Sequence, residues 1–339
     1  MTIFSPAVPD VDAICRGHLG SPALSVDRIG SGRNSRVFRV ALADRTVVVK
    51  FYRRDAGDTR DRLATEFGAL RFLWENGVRV VPRAIADDRS HYCAIYEYID
   101  GEPPDPSGVT DRDVDALVDF LAGLQPLRSK AAAAAVGIAS EAGFSLAAIA
   151  DHVKARADRL RKSADKEQGL SRWFVEAFDP LYGEVASWYR ATAGALGQPV
   201  DVEIDAARRT LSPSDFGFHN AIRRRDGSLA FVDLEYFGWD DPAKTVVDFL
   251  LHPGMDLPDT LKKRFAERFV RALAFVPGLA GRARVVYPLF GLKWCLILLN
   301  DFLPDRATTA SADVRAAQLQ KAGALVDRIR REYRENPFV

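Results

Sequence analysis

The sequence predicts an α+β protein in which a small β-rich part is followed by a larger, mostly helical part. Three observations predict it. Residues 24–53, LSVDRIGSGRNSRVFRVALADRTVVVKFYR, set β-branched runs around a glycine-rich turn and a second turn at Ala43-Asp44-Arg45. Beyond residue 110 the apolar residues recur at helical spacing, interrupted by a single strand island at 219–235. Between the two lies DGEPPDPSG, residues 100–108, the richest cluster of turn formers in the chain. These divide the chain into 1–99, a connection at 100–108, and 109–339.

The elements follow in order. After the first strands a helix is predicted over 58–76, with Gly77 as its stop, and two more strands over 81–86 and 91–99. The helical segments are 111–126, 144–163, 170–195, 243–252, 258–275, 284–302 and 312–334. The alanine run 131–135 reads as a loop or helix end. Residues 285–303 are apolar enough to suggest a membrane span, but Pro288, Lys293, Asn300 and Asp301 shorten the run, so a core helix is expected.

Composition excludes several function classes. A formal net charge of +1 over 339 residues gives no electrostatic attraction to nucleic acid or an acidic membrane. Three scattered cysteines, without a CxxC pair, argue against a disulfide framework and a zinc site. The five histidines form no metal-binding spacing. The opening MTIFSPAVPD lacks the basic start and apolar run of a signal peptide, so the expected location is cytoplasmic. Oligomeric state is not legible.

The strand island carries the chemistry. Asp226-Gly227 is the preferred dipeptide of a two-residue type I′ hairpin turn. With Arg225 opposite Ser228, Asn220 falls directly opposite Asp233, at a spacing where an amide oxygen and a carboxylate can share one Mg²⁺. Asp215 lies five residues before Asn220, the D-x-x-x-x-N spacing of a kinase catalytic loop, in which the aspartate engages the substrate hydroxyl. The letters D-F-G at 215–217 are therefore a decoy, and the metal aspartate is Asp233.

The β-rich part supplies the partners. Gly30, Ser31 and Gly32 sit in a strand-turn-strand setting that suits either an ordinary turn or a loop approaching phosphate oxygens. Lys50 ends TVVVK on a face it shares with Val48 and Tyr52, so it needs a buried partner. Glu66 lies on the apolar stripe of Leu63, Phe67, Leu70 and Trp74, where a carboxylate must be paired. Lys50 with Glu66 resolves both, with Glu75 as the competing partner. Such a pair aims lysine at the α/β-phosphates of ATP. The carbonyl of Glu97 and the N–H of Ile99 are the candidate adenine contacts.

Taken together, GSGRNS, VVVK, Glu66, EYIDG, SDFGFHN and VDLEYFGWDDP resemble the aminoglycoside phosphotransferase and choline kinase-like family of small-molecule kinases, over residues 24–252. The resemblance implies a bilobal, protein-kinase-like fold and ATP-Mg²⁺ transfer of the γ-phosphoryl group to a small hydroxyl compound such as an aminoglycoside, sugar or amino alcohol. It implies Asp215 as base, Asn220 and Asp233 on magnesium, and Lys50 on nucleotide phosphate. Three departures stand out: Pro213 where the family has a bracing histidine, Gly217 where it often has another, and Thr245 where it tends to place an aspartate, with Asp248 one turn later. Asp248 then faces the catalytic loop or is an ordinary polar residue. Asp241 and Pro242 are expected as helix cap and first residue. Glu235 is left between a metal and the acceptor. Trp173, Trp188, Trp239 and Trp294 either stack on a ligand or fill the core. The alternative is a catalytically silent nucleotide-binding protein of the same fold, marked by Pro213.

Overall fold

The computed structural model describes residues 10–30, 35–54, 59–165, 167–304 and 310–338. The chain forms two compact units, one of Met1–Pro104, Pro126–Ser140 and Phe218–Gly238, the other of Asp105–Gln125, Glu141–Gly217 and Trp239–Val339.

The first unit opens with α1 (Val11–Leu19), capped by Asp10, whose side chain accepts the Ala13 N–H. Five antiparallel strands follow in spatial order β1-β2-β3-β5-β4: β1 (Ser25–Gly30), β2 (Ser35–Ala41), β3 (Thr46–Tyr52), β4 (Ala84–Asp88) and β5 (Cys93–Glu97). Val47 and Val49 of β3, Val40 of β2 and Ile95 of β5 are buried in one cluster with Ile14 and Cys15 of α1. That burial, at roughly 25 cal/mol per Å² of apolar surface, is what holds α1 to the sheet.

Helix α2 (Arg62–Glu75) begins where Asp61 accepts the Ala64 N–H at 3.0 Å, and Gly77 follows its end at φ 85°. Its buried residues include Leu63, Glu66, Leu70 and Leu73, whereas Phe67 and Trp74 are half-buried. The buried stripe is therefore turned slightly from the predicted one, but Glu66 lies on it. The unit is completed by β6 (Gly101–Glu102) and, after an excursion of the chain that includes β7 (Thr210–Ser212), by β8 (Ala221–Arg224) and β9 (Leu229–Phe231), in spatial order β6-β8-β9. The predicted island at 219–235 is thus shorter, because Phe218–Asn220 forms a 3₁₀ turn and Val232–Glu235 leaves the ladder.

The second unit is helical: α3 (Asp111–Gly123), α4 (Leu146–Ala164), α5 (Gln168–Trp173), α6 (Asp179–Ala195), then β10 (Gly238–Asp240), which pairs with β7, and α7 (Pro242–Leu251), α8 (Asp259–Ala272), α9 (Leu279–Leu298) and α10 (Ala312–Glu332). A π-helical turn over Phe174–Phe178 joins α5 to α6, so the predicted helix 170–195 is continuous in path. Helix α9 packs against α4, α6, α7 and α10 and forms the centre of the unit. With its 3₁₀ extension to Phe302 it is apolar and long enough to cross a membrane, yet 78% of its most apolar window is buried inside the chain. Its role here is the expected one of a core helix.

Helix α7 starts as its sequence dictates. Asp241 accepts the Ala243 N–H at 2.9 Å, Pro242 takes the first helical position, and Arg282 Nε pairs with the other Asp241 oxygen at 2.7 Å.

Candidate active site

Lys50 is the hub of the first unit. It lies on β3 opposite Val37 of β2 and Ala94 of β5, and only 5% of its surface is exposed. Its Nζ donates to Glu66 Oε2 at 2.6 Å and to Asp233 Oδ1 at 2.6 Å, with Glu235 Oε2 at 3.6 Å. The predicted partner Glu66 is the one found; Glu75 instead faces Arg71 on the solvent side of α2. Glu66 is held two further ways, accepting the Tyr52 hydroxyl at 2.8 Å and the Leu234 N–H at 3.2 Å, while the Tyr52 hydroxyl also meets that of Tyr96 at 2.6 Å. Each of these donors offsets part of the several kcal/mol that burying a carboxylate costs.

The electrostatics follow from three carboxylates sharing one ammonium. Burial works against the charged form of Lys50, but Asp233, Glu66 and Glu235 outweigh it and hold its pKa well above the lysine range. Burial raises the Tyr52 hydroxyl, and the Glu66 carboxylate beside it adds to the rise, so Tyr52 keeps its proton and donates it. Glu235 is 4% exposed and its Oε1 lies 3.4 Å from Nε of Arg62, itself 3% exposed. Arg62 therefore supplies the second buried cation of the cluster. Carboxylate oxygens of Glu66, Asp233 and Glu235 lie within 4.8 Å of one another, a spacing and chemistry suited to a hard divalent cation. Of the three, Asp233 has the most open side chain, at 41% exposed.

The hairpin that carries Asp233 differs from its prediction. Its facing pairs are Ala221–Phe231, Ile222–Ala230 and Arg223–Leu229. Gly227 donates to the Arg224 carbonyl at 2.9 Å and Arg224 donates to the Ser228 carbonyl at 2.8 Å, with Gly227 at φ 84°. This is a three-residue loop, a type I turn closed by a left-handed glycine, rather than a two-residue type I′ turn. Asp226 favours it by accepting both the N–H and the hydroxyl of Ser228. The register is displaced by one residue, so Asn220 is not the facing partner of Asp233; its carbonyl accepts the Val232 N–H at 2.9 Å. Asp233 reaches Lys50 by another route. It stands beyond the end of β9 at φ 63°, a left-handed conformation that costs a non-glycine residue about 1–2 kcal/mol and redirects its side chain.

Gly30 ends β1 beside a bulge and pairs with Val37. Ser31 and Gly32 lie outside the described residues. Glu97 ends β5, with its N–H on the Arg83 carbonyl at 2.9 Å and its carboxylate on the Arg83 N–H at 3.0 Å, and Ile99 is buried two residues on.

In the second unit, Asp215 follows a strained turn. Its N–H donates to the Pro213 carbonyl at 3.0 Å across Ser214, whose φ is 69°. His252, just past α7, places Nε2 3.6 Å from Asp215 Oδ1. Its Nδ1 accepts the Gly254 N–H at 3.0 Å, which leaves the ring proton of the neutral imidazole on Nε2, facing the carboxylate. The ring packs edge-on against Trp294, 4.5 Å between centroids, and Trp294 Nε1 donates to Asp248 at 3.0 Å. Asp248 also stands 3.5 Å from Lys244, which donates to Ser214 Oγ at 2.7 Å. Asp248 thus contacts Lys244 and Trp294, and it is Lys244 that reaches Ser214 of the 212–215 loop. Trp173 is buried against Phe174 and Phe178, as core residues are, and the half-buried Trp188 packs edge-on against Tyr333.

Sequence reasoning missed Arg62, Tyr96, Lys244 and His252, and placed Tyr52 on the Lys50 face without its bond to Glu66. Two signals were present. Arg62 sits four residues before Glu66 on the buried stripe, and Lys244 is a lone cation in the apolar helix PAKTVVDFLL with Asp240 and Asp248 one turn to either side. His252 had none, since its relation to Asp215 spans 37 residues.

Comparison with known proteins bears on this arrangement. No curated protein matches the sequence. Among solved structures, the choline kinase from Cryptosporidium parvum Iowa II is similar at 15% identity and TM-score 0.58, over 94% of this chain and 96% of that one. Choline kinase LicA from Streptococcus pneumoniae is similar at 15% identity and TM-score 0.62, over 94% and 98%. Spectinomycin phosphotransferase APH(9)-Ia, solved with ADP and spectinomycin, is similar at 11% identity and TM-score 0.63, over 96% and 99%. At such identities the likeness is one of fold, the α+β, kinase-like fold that the sequence predicts. Residues 25–285, which hold Lys50, Glu66, Asp215, Asn220 and Asp233, match the model of the phosphotransferase enzyme family, and the chain belongs to that family.

Proposed function

We propose that this protein transfers the γ-phosphoryl group of ATP to a hydroxyl of a small molecule, of the aminoglycoside, sugar or amino-alcohol class. The observation that carries the reading is the Lys50–Glu66–Asp233 cluster, in which the buried lysine and the partly exposed Asp233 carboxylate, 183 residues apart, meet at 2.6 Å. Solved structures similar to this chain include a choline kinase and a spectinomycin phosphotransferase, both named for phosphoryl transfer to small molecules.

Each residue has a role in this reading. Lys50, steered by Glu66, exchanges its contact with Asp233 for nucleotide phosphate oxygens. Tyr52 and Leu234 keep Glu66 in place while it does so. Gly30, Ser31 and Gly32 cover the phosphates, and the backbone of Glu97 and Ile99 reads adenine. Asp233, with Asn220, would hold Mg²⁺, which would supply charge neutralisation to the transferring phosphoryl group. Glu235, clamped between Lys50 and Arg62, orders the two cations rather than meeting the acceptor. Asp215 accepts the acceptor's hydroxyl proton as the new P–O bond forms, the bond from the γ-phosphorus to the β,γ-bridging oxygen breaks, and ADP leaves. Such a reaction needs positioning and charge neutralisation more than covalent help from the protein.

Mg²⁺-dependent ATP turnover with a panel of aminoglycosides, sugars and amino alcohols tests this. Acceptor-stimulated ADP release is expected, and Asp215→Ala should abolish it while nucleotide binding survives. Full turnover in Asp215→Ala would refute the assignment. Nucleotide binding with silence across the panel would favour the alternative, a non-catalytic nucleotide-binding protein.

A further inference from the structure

The residue before the proposed base is held in a conformation it would not adopt alone. Ser214 is the apex of a γ-turn, its φ of 69° combined with the Asp215 N–H to Pro213 carbonyl bond at 3.0 Å. That form of the turn is the rare, strained one. Pro213 contributes no N–H to hold it. Something else must.

Three groups do so. Ser214 N–H donates to Ser212 Oγ at 3.0 Å, and Ser212 Oγ meets Thr245 Oγ1 of α7 at 3.3 Å. Ser214 Oγ accepts from Lys244 Nζ at 2.7 Å. Lys244 is 2% exposed and is itself fixed by Asp240 at 2.7 Å and Asp248 at 3.5 Å. Asp240 is fully buried, and Asp248 is oriented by the Trp294 indole. Two carboxylates already compensate the ammonium, so its third bond, to a neutral hydroxyl, is not needed to keep the charge buried. What that bond adds is a rigid link from α7 to the turn that presents Asp215.

We propose that Lys244 is a positioning residue, acting through Ser214 to fix the carboxylate of Asp215 in its working orientation. The proposal rests on the phosphotransfer reading for its catalytic consequence. Helix α7 then does for this chain what a bracing side chain at position 213 cannot. A loose loop costs rate because a displacement of about 1 Å at a reacting group can lower turnover roughly a hundredfold.

The test uses the full chain and two readouts. The first is kcat and KM for MgATP in the wild type, Ser214→Ala and Lys244→Met. The second is amide hydrogen exchange over residues 210–218 in the same proteins. Ser214→Ala removes the hook and leaves the Lys244–Asp240 pair intact, so its Tm should stay within about 2 °C of wild type. Its kcat should fall about 10- to 100-fold with KM for ATP changed by less than about threefold, and exchange over 210–218 should quicken at least about fivefold. Lys244→Met should show the same pattern with lower stability, and if it does not fold, Ser214→Ala carries the test alone. Unchanged kcat in Ser214→Ala overturns the proposal, whatever the exchange shows. Should the wild type transfer no phosphoryl group, the functional reading fails and exchange decides: faster exchange confined to 210–218 keeps the brace, and unchanged exchange removes it as well.

Discussion

Lys50 Nζ and Asp233 Oδ1 are 2.6 Å apart, so the ammonium occupies the place beside Asp233 that a divalent cation would contest. Replacing Lys50 with methionine leaves Glu66, Asp233 and Glu235 together around an apolar side chain. The expected cost is about 3–5 kcal/mol without metal, as for other buried ion pairs broken from one side. Millimolar Mg²⁺ should recover part of it by binding the folded state. Denaturant unfolding of Lys50→Met with and without Mg²⁺ measures both, and an unmoved midpoint would remove the cation site.

Arg62 and Arg71 lie on the same helix and should behave oppositely. Arg62 and Glu235 are each 3% exposed in side chain, whereas Arg71 and Glu75 are 66% and 64% exposed. Arg62→Met should lose about 3 kcal/mol of stability, since Glu235 keeps its buried charge with one cation fewer. Arg71→Ala should change it by less than about 0.5 kcal/mol. Equal effects in thermal unfolding would contradict the burial difference.

The corrected hairpin register makes Gly227 the residue on which the turn depends. At φ 84° it closes the three-residue loop, and any side chain there is strained. Gly227→Ala should cost about 1 kcal/mol. Asp226→Ala should also destabilise, by about 1 kcal/mol, because Ser228 loses the acceptor of its N–H and hydroxyl. Unfolding measurements that find Asp226→Ala neutral would argue against the turn described.

A pH dependence is expected at the far edge of the sheet. Burial acts to raise the Asp88 carboxyl, but hydrogen bonds from Ser90, His91 and His18 prevail and hold its pKa below the carboxylate range. A carboxyl with a depressed folded pKa adds stability above its unfolded pKa and loses it as pH falls through the folded one. Asp88→Asn should therefore cost about 1–2 kcal/mol at pH 7. The gap to wild type should close as pH falls below about 4. Melting curves from pH 7 to pH 3 that stay parallel would rule this out.

Much of the architecture was legible because it rests on local rules. Apolar spacing marks α7 and α10 to within a residue or two, and Asp241-Pro242 marks the start of α7 because cap and first-turn preferences act over three residues. Lys50 and Glu66 could be paired on paper since each was a charge on an otherwise apolar face, and two such anomalies relieve each other. The hairpin register was not legible. Asp226-Gly227 serves a two-residue and a three-residue loop equally well, and one residue of slip exchanges the faces of both strands.

What the sequence determined by itself was the order and kind of the elements and the set of charged side chains that had to be paired if buried. Only the tertiary structure decided which partners they took: Asp233 through a left-handed backbone rather than a facing pair, Arg62 beside Glu235, and Lys244 on Ser214. The physical reason is range. Propensity and capping are settled among neighbours a few residues apart, whereas the desolvation that forces a buried charge to find a partner acts only after distant segments have closed over it.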